Sequence, residues 1–151
     1  MSCIAIMSKA PVIIREEESV ADAAAKLVSN RFTSLPVVDS HDRYVGMFGL
    51  YDLLSLLVPR VALAGDLMAN LRFIDDDPEV LKDRYRDVRD RRVGEVANRN
   101  APTLGPDSPE VEAVRLFCRN HSSVAVVDGK SGHVLGVISW RDAMRAIMGA
   151  G

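Results

Sequence analysis

The chain is poor in the residues from which metal and catalytic centres are usually built. Its 151 residues include two cysteines and three histidines. Cys3 and Cys118 lie far apart, with no CxxC and no histidine cluster beside either, which argues against zinc. Two free thiols are expected, with Cys118 on the buried face of a helix. His41 and His133 fall in polar turns, where a solvent-facing imidazole is expected. There is no GxxxxGK[ST] phosphate loop and no cysteine or histidine in register with a partner base or acid, so the sequence predicts no catalysis. No apolar run approaches the roughly 18 residues of a membrane span. The opening stretch MSCIAIMSKAP lacks the basic region and long apolar run of a signal peptide, so a cytoplasmic protein is expected. The net charge of −2 and the isoelectric point of 5.9 argue against a mainly electrostatic grip on nucleic acid.

What the chain does have is an internal repeat. GMFGLYD (46–52) returns as GVISWRD (136–142), and LPVVD (35–39) returns as VAVVD (124–128). APV (10–12) matches APT (101–103), and Ser19 matches Ser108. The register is kept to within one residue, and the slip falls in the hairpins SHDR and GKSGH, where length changes are tolerated.

Each copy has the same grammar. A short extended segment (12–14; 103–104) precedes a helix opened by Ser19 with Asp22 three residues on, or by Ser108 with Pro109 at its first position. Val20, Ala24, Leu27 and Val28 are expected to line the buried face of the first helix; Val111, Val114, Phe117 and Cys118 that of the second. Two strands of unbroken apolar character follow, expected to be buried on both faces. The last helix begins after the glycine phrase and ends at Pro59 in one copy and Gly149 in the other. The reading is an α+β fold: two β-α-β-β-α repeats, each too short to bury its own sheet, packed with pseudo-two-fold symmetry.

This order of motifs, occurring twice, resembles the cystathionine β-synthase (CBS) domain family, in which two repeats form a Bateman module. The bounds read from it are repeat 1 at 4–58, a helical insert at 59–92 and repeat 2 at 93–148. The resemblance implies an adenosine-type ligand (AMP, ADP, ATP or S-adenosylmethionine) in clefts between the repeats, acting as a regulatory ligand, with occupancy reported to a partner and no chemistry performed.

The residues themselves offer a rationale. An aspartate in the first turn of a helix can accept from both hydroxyls of a ribose, which points to Asp142 and Asp52. A serine hydroxyl and free N–H groups at a helix start suit phosphate, which points to Ser139, with Arg141 as a nearby cation. Gly136 permits close backbone approach. Pro102, Thr103, Ser122, Ser123 and Val124 are expected around one adenine pocket, with Pro11, Val12, Ser34 and Leu35 around the other. Gly49 stands where the second copy has Ser139, so one phosphate donor is missing and unequal sites are expected. Arg31 is placed to compensate from across the module.

In the insert, AGDLMANL (64–71) reads as a short helix. Asp77 and Pro78 open a second helix, with a stripe of Leu81, Tyr85 and Val88 and an i,i+4 pair of Asp87 with Arg91. Its RDVRDRR run is interrupted by two aspartates, which disfavours nucleic acid. Expected partners are a second copy, through Leu50, Leu53, Leu54 and Leu57 with Ala143, Ala146 and Ile147, and a protein regulated in trans. The alternatives are a ligand-independent interaction scaffold and, behind it, nucleic-acid binding through the insert.

Overall fold

The computed structural model describes residues 2–9, 12–30, 32–58, 78–120 and 122–149. The 64–71 helix, the Asp77 cap, Pro59, Pro11 and Arg31 lie outside the described residues. Repeat 1 runs β2 (Ile14–Arg15), α2 (Val20–Asn30), β3 (Ser34–Val38), β4 (Tyr44–Gly49) and α3 (Leu50–Leu57). Repeat 2 runs β5 (Thr103–Leu104), α6 (Glu110–Asn120), β6 (Val124–Val127), β7 (Val134–Ile138) and α7 (Trp140–Met148). Each therefore has the β-α-β-β-α order, and the two form a mixed α/β pair with small sheets. None of the described helices is long and apolar enough to cross a membrane.

A short leader precedes each repeat. The first is α1 (Cys3–Ile6) with β1 (Ser8–Lys9); the second is α5 (Val93–Val96) with Asn98. Each leader packs on the other repeat. β1 pairs antiparallel with β7, so the second sheet runs β1-β7-β6-β5. Asn98 exchanges two backbone bonds with Met47, at 3.0 and 2.7 Å, on the edge of the β2-β3-β4 sheet. Val93 completes the core of Ile14, Val20, Leu27, Leu35, Val37 and Phe48, while Cys3 completes that of Leu104, Ala113, Val124, Val126 and Ile138. Burying a valine contributes roughly 1.5–3 kcal/mol, so each core depends on a side chain delivered by the other leader. The hairpins also meet, Tyr44 N–H donating to the Gly132 carbonyl at 2.8 Å.

Local chemistry explains the element ends. The Ser19 hydroxyl accepts from Asp22 N–H at 3.1 Å at the start of α2. In repeat 2 the Ser108 hydroxyl instead accepts from Gly105 N–H at 3.0 Å, and α6 starts at Glu110, one residue later than the sequence suggested. Pro36 is tolerated inside β3 because its partner Met47 turns its own N–H towards Asn98 and β2 joins only from Val37 onward; no ladder bond is lost. Gly149 ends α7 in the left-handed region, φ 70°.

Several expected faces are corrected. Val28 is 74% exposed and Val111 59%, while Ala23 and Ala113 are buried in their place. Ala24 is half-buried. Cys118 is exposed and Cys3 is the buried thiol. In each helix the buried stripe is turned onto the alanine, Ala23 in α2 and Ala113 in α6. Leu53 packs on the first core and Ala143 is buried, leaving Leu54 and Ile147 exposed. α4 (Pro78–Val88) begins at the expected proline and packs against α3. Arg91 pairs with Glu95 at 3.5 Å rather than with Asp87.

Candidate functional site

The repeated glycine phrase places a strand end against a helix start. Its first glycine serves the fold. A Cβ at Gly136 would stand 2.7 Å from the Ser8 carbonyl oxygen and 2.6 Å from Met7 Sδ, and one at Gly46 would stand 2.7 Å from the Asn98 carbonyl oxygen. The close approach read into Gly136 is therefore made by the crossing leader, which leaves no width for a side chain, and not by a ligand.

At the end of β7, Ser139 caps α7. Its hydroxyl accepts from Asp142 N–H at 3.3 Å, and its own N–H donates to Asp142 Oδ2 at 2.8 Å, a reciprocal box. The Ser139 hydroxyl also lies 3.0 Å from Asp142 Oδ2. The crossing strand adds a further donor: the Ser8 hydroxyl reaches Asp142 Oδ1 at 3.3 Å and Oδ2 at 3.4 Å. The N–H groups of Trp140 and Arg141 have no partner among the described residues. They open, with the positive end of the helix dipole, beside a cleft of about 200 Å³ lined by Asn30, Phe32 and Thr33 of repeat 1 and by Ser123, Ser139, Trp140 and Arg141 of repeat 2. The Arg141 guanidinium lies 5.8 Å from the Trp140 ring centre, within cation–π range. It is the one charged side chain among the described residues that line the cleft.

The equivalent crevice of repeat 1 is tighter. Leu50 N–H, the counterpart of the open Trp140 N–H, donates to the Thr33 carbonyl at 2.9 Å. Asp52 Oδ2 accepts from Gly49 N–H at 2.8 Å. Burial pushes the Asp52 carboxyl above the ordinary carboxylate range, with the Gly49 N–H pulling it back. Gly49 itself is fixed by packing: a Cβ there would lie 2.6 Å from the Thr33 carbonyl oxygen and 2.8 Å from Ser34 Cβ. The β3–β4 ladder runs on to Ser34 opposite Gly49, whereas the β6–β7 ladder stops at Val124 opposite Ile138. That one extra rung draws the chains together and excludes serine. The neighbouring Ser34 hydroxyl is buried with no hydrogen-bond partner among the described residues.

Of the residues singled out from sequence, Ser139, Arg141 and Ser123 come together at the cleft. Asp142 lies one turn in, held by Ser139 and Ser8. Leu35 and Val124 are sealed in the two cores, 1% exposed each, so their side chains are not pocket walls. Val12 packs against the first core, Ser34 is buried, Ser122 and Pro102 are half-buried, and Thr103 is exposed and paired with Ala125. Asn30, Phe32, Thr33 and Trp140 line the cleft without having been assigned to it. The signal for Phe32 and Thr33 was their place directly before LPVVD, across the pseudo-two-fold from the second glycine phrase. Ser8 was missed because nothing in sequence shows that the leader crosses.

A family model described as "CBS domain" matches residues 3–59 and 93–149. In sequence, the chain is 26% identical over 145 residues to an L-aspartate semialdehyde sulfurtransferase of Methanocaldococcus jannaschii, which accounts for 95% of this chain but only 23% of that protein. In structure, it is similar to CBSX2 in complex with AMP (TM-score 0.71, 22% identity, 98% of this chain and 96% of that one). It is also similar to the CBS domain pair of protein MJ0100 in complex with 5′-methylthioadenosine and S-adenosyl-L-methionine (TM-score 0.66, 21% identity, 97% and 99%).

Proposed function

The chain belongs to the CBS domain family, and on that premise we propose that it is a non-catalytic regulatory module binding an adenosine-containing ligand between its repeats. The observation that carries this is the open amino end of α7, where unpartnered N–H groups, the Ser139 hydroxyl and the Arg141 guanidinium converge on a cleft whose far wall comes from the other repeat. That chemistry suits a phosphate. The ribose falls to Asp142, with Ser123, Phe32 and Trp140 around the base. The complexes of CBSX2 with AMP and of the MJ0100 pair with adenosyl compounds support the ligand class. Arg141 is the one charged side chain among the described residues lining the cleft, and its place at the phosphate end favours an anionic ligand, AMP or a longer nucleotide, over the cationic sulfonium of S-adenosylmethionine. The Asp52 crevice, with its first N–H already satisfied and no cation in line, binds more weakly.

The module so read spans repeat 1 (4–58), the insert (59–92) and repeat 2 (93–148). It acts in the cytoplasm on a separate protein partner, as a homodimer through the exposed helix residues near Leu54 and Ile147. Titration calorimetry tests the reading: Arg141→Ala lowers AMP affinity by about tenfold, the loss of one charge-assisted contact, and leaves S-adenosylmethionine binding unchanged. Ligand at about 100 times its Kd adds roughly 2.7 kcal/mol of stability. Absence of any thermal shift with AMP, ADP, ATP and S-adenosylmethionine would replace this reading with the ligand-independent scaffold.

A further inference from the structure

The second cleft differs from the first in one further way. Asp142 is tied to a strand from the far side of the module, and Asp52 is not. Ser8 sits on β1, which crosses from the start of the chain to pair with β7, Ser8 opposite Val137. The place of Ser8 on the other side is taken by Asn98, whose side-chain oxygen accepts from Asn100 N–H at 3.0 Å. Among the described residues, Asn98 makes no side-chain bond to Asp52.

The distances rank the donors around Asp142. The Ser139 N–H and hydroxyl contacts, at 2.8 and 3.0 Å, have ordinary lengths and fix the carboxylate on the helix. The Ser8 hydroxyl divides itself between both oxygens at 3.3 and 3.4 Å, well beyond the roughly 2.5–2.7 Å of a strong O–H···O⁻ bond. A carboxylate offers about four lone-pair sites, so two incoming ribose hydroxyls would compete with the Ser8 contact first.

We propose that Ser8 occupies the position of a ribose hydroxyl in the second site, so that ligand binding displaces it and loosens the crossing leader, residues 3–9, from repeat 2. This rests on Asp142 being the ribose acceptor, as assigned above. Occupancy would then be reported at α1 and β1, the elements whose Cys3 completes the second core. Besides the β1–β7 ladder and the burial of Cys3, the leader is held by Cys3 N–H to the Ser108 carbonyl at 2.8 Å and Ile4 N–H to the Pro106 carbonyl at 3.3 Å, and Ser8 supplies its hydrogen bond to a charged group.

The test compares full-length wild type, Ser8→Ala and Ser8→Thr by calorimetry with AMP, together with amide exchange of the 3–9 peptide with and without saturating AMP. Removing the competitor should tighten AMP binding about fivefold in Ser8→Ala, and Ser8→Thr should stay near wild type. Exchange of the 3–9 peptide should rise on AMP addition in wild type and Ser8→Thr, and show no ligand-dependent change in Ser8→Ala. If wild type binds AMP but Ser8→Ala binds it equally or more weakly, or the exchange difference persists, Ser8 is not a competitor and this inference alone falls. If wild type binds no adenosine compound, the functional reading falls and takes the inference with it.

Discussion

Replacing Gly49 with serine would give the first glycine phrase the hydroxyl that the second has at Ser139, and the outcome separates two accounts of the asymmetry. If Gly49 only marks a lost phosphate donor, Gly49→Ser restores it and strengthens the first site. The structure gives a different result. The new Cβ would stand 2.6 Å from the Thr33 carbonyl oxygen and 2.8 Å from Ser34 Cβ, and two backbone-anchored neighbours cannot rotate aside. Relief requires opening the Ser34–Gly49 rung, with the Leu50 N–H to Thr33 carbonyl bond beside it. Overpacking of this kind costs about 1–3 kcal/mol. For a protein of this size each kcal/mol moves the Tm by roughly 2–4 °C, so a fall of about 4–8 °C is expected for a mid-range cost. The assay is urea or thermal unfolding followed by circular dichroism, with AMP titration on the same preparations. A variant as stable as wild type that also binds a second equivalent of AMP would refute the steric argument.

Two further predictions follow from the same geometry. Gly136→Ala pushes a methyl towards the Ser8 carbonyl and Met7, so it should destabilise by about 1–3 kcal/mol and raise proteolytic cleavage within residues 1–9; unchanged cleavage would contradict the tight crossing. Tyr44 has a buried hydroxyl without a partner among the described residues, and burial pushes its pKa up to about 12. Because the folded pKa lies above the unfolded value of about 10, stability is independent of this group below pH 10 and falls as the pH rises from 10 towards 12, where the unfolded chain loses the proton first. Tyr44→Phe should therefore keep or slightly raise stability at pH 7 and flatten the alkaline fall in urea midpoint; a loss above about 1 kcal/mol at pH 7 would show a hydroxyl partner.

The two-copy architecture was legible because both copies had to solve the same packing problem with the same residue types. LPVVD and VAVVD became β3 and β6, and the helix after each glycine phrase began at Leu50 and Trp140, as their patterning suggested. At the site, Ser139 and Arg141 were readable from one stretch of chain, since local geometry at a helix start holds them, and Ser123 from its place directly before β6. The pocket-wall residues were less so: an apolar residue beside a motif can equally face the core, and Leu35 and Val124 do.

What the amino-acid order determined by itself is what depends on neighbours in sequence: the repeat, its strands and helices, and the capping of α7. Tertiary structure alone decided that the two leaders change places, since those contacts join residues distant in sequence, Met47 with Asn98 and Ser8 with Asp142, and leave no periodicity behind. From that crossing come the need for Gly46 and Gly136 and the hold of Ser8 on Asp142. Gly49 was likewise decided by how far one ladder extends, because side-chain space is set by whichever backbone lies opposite.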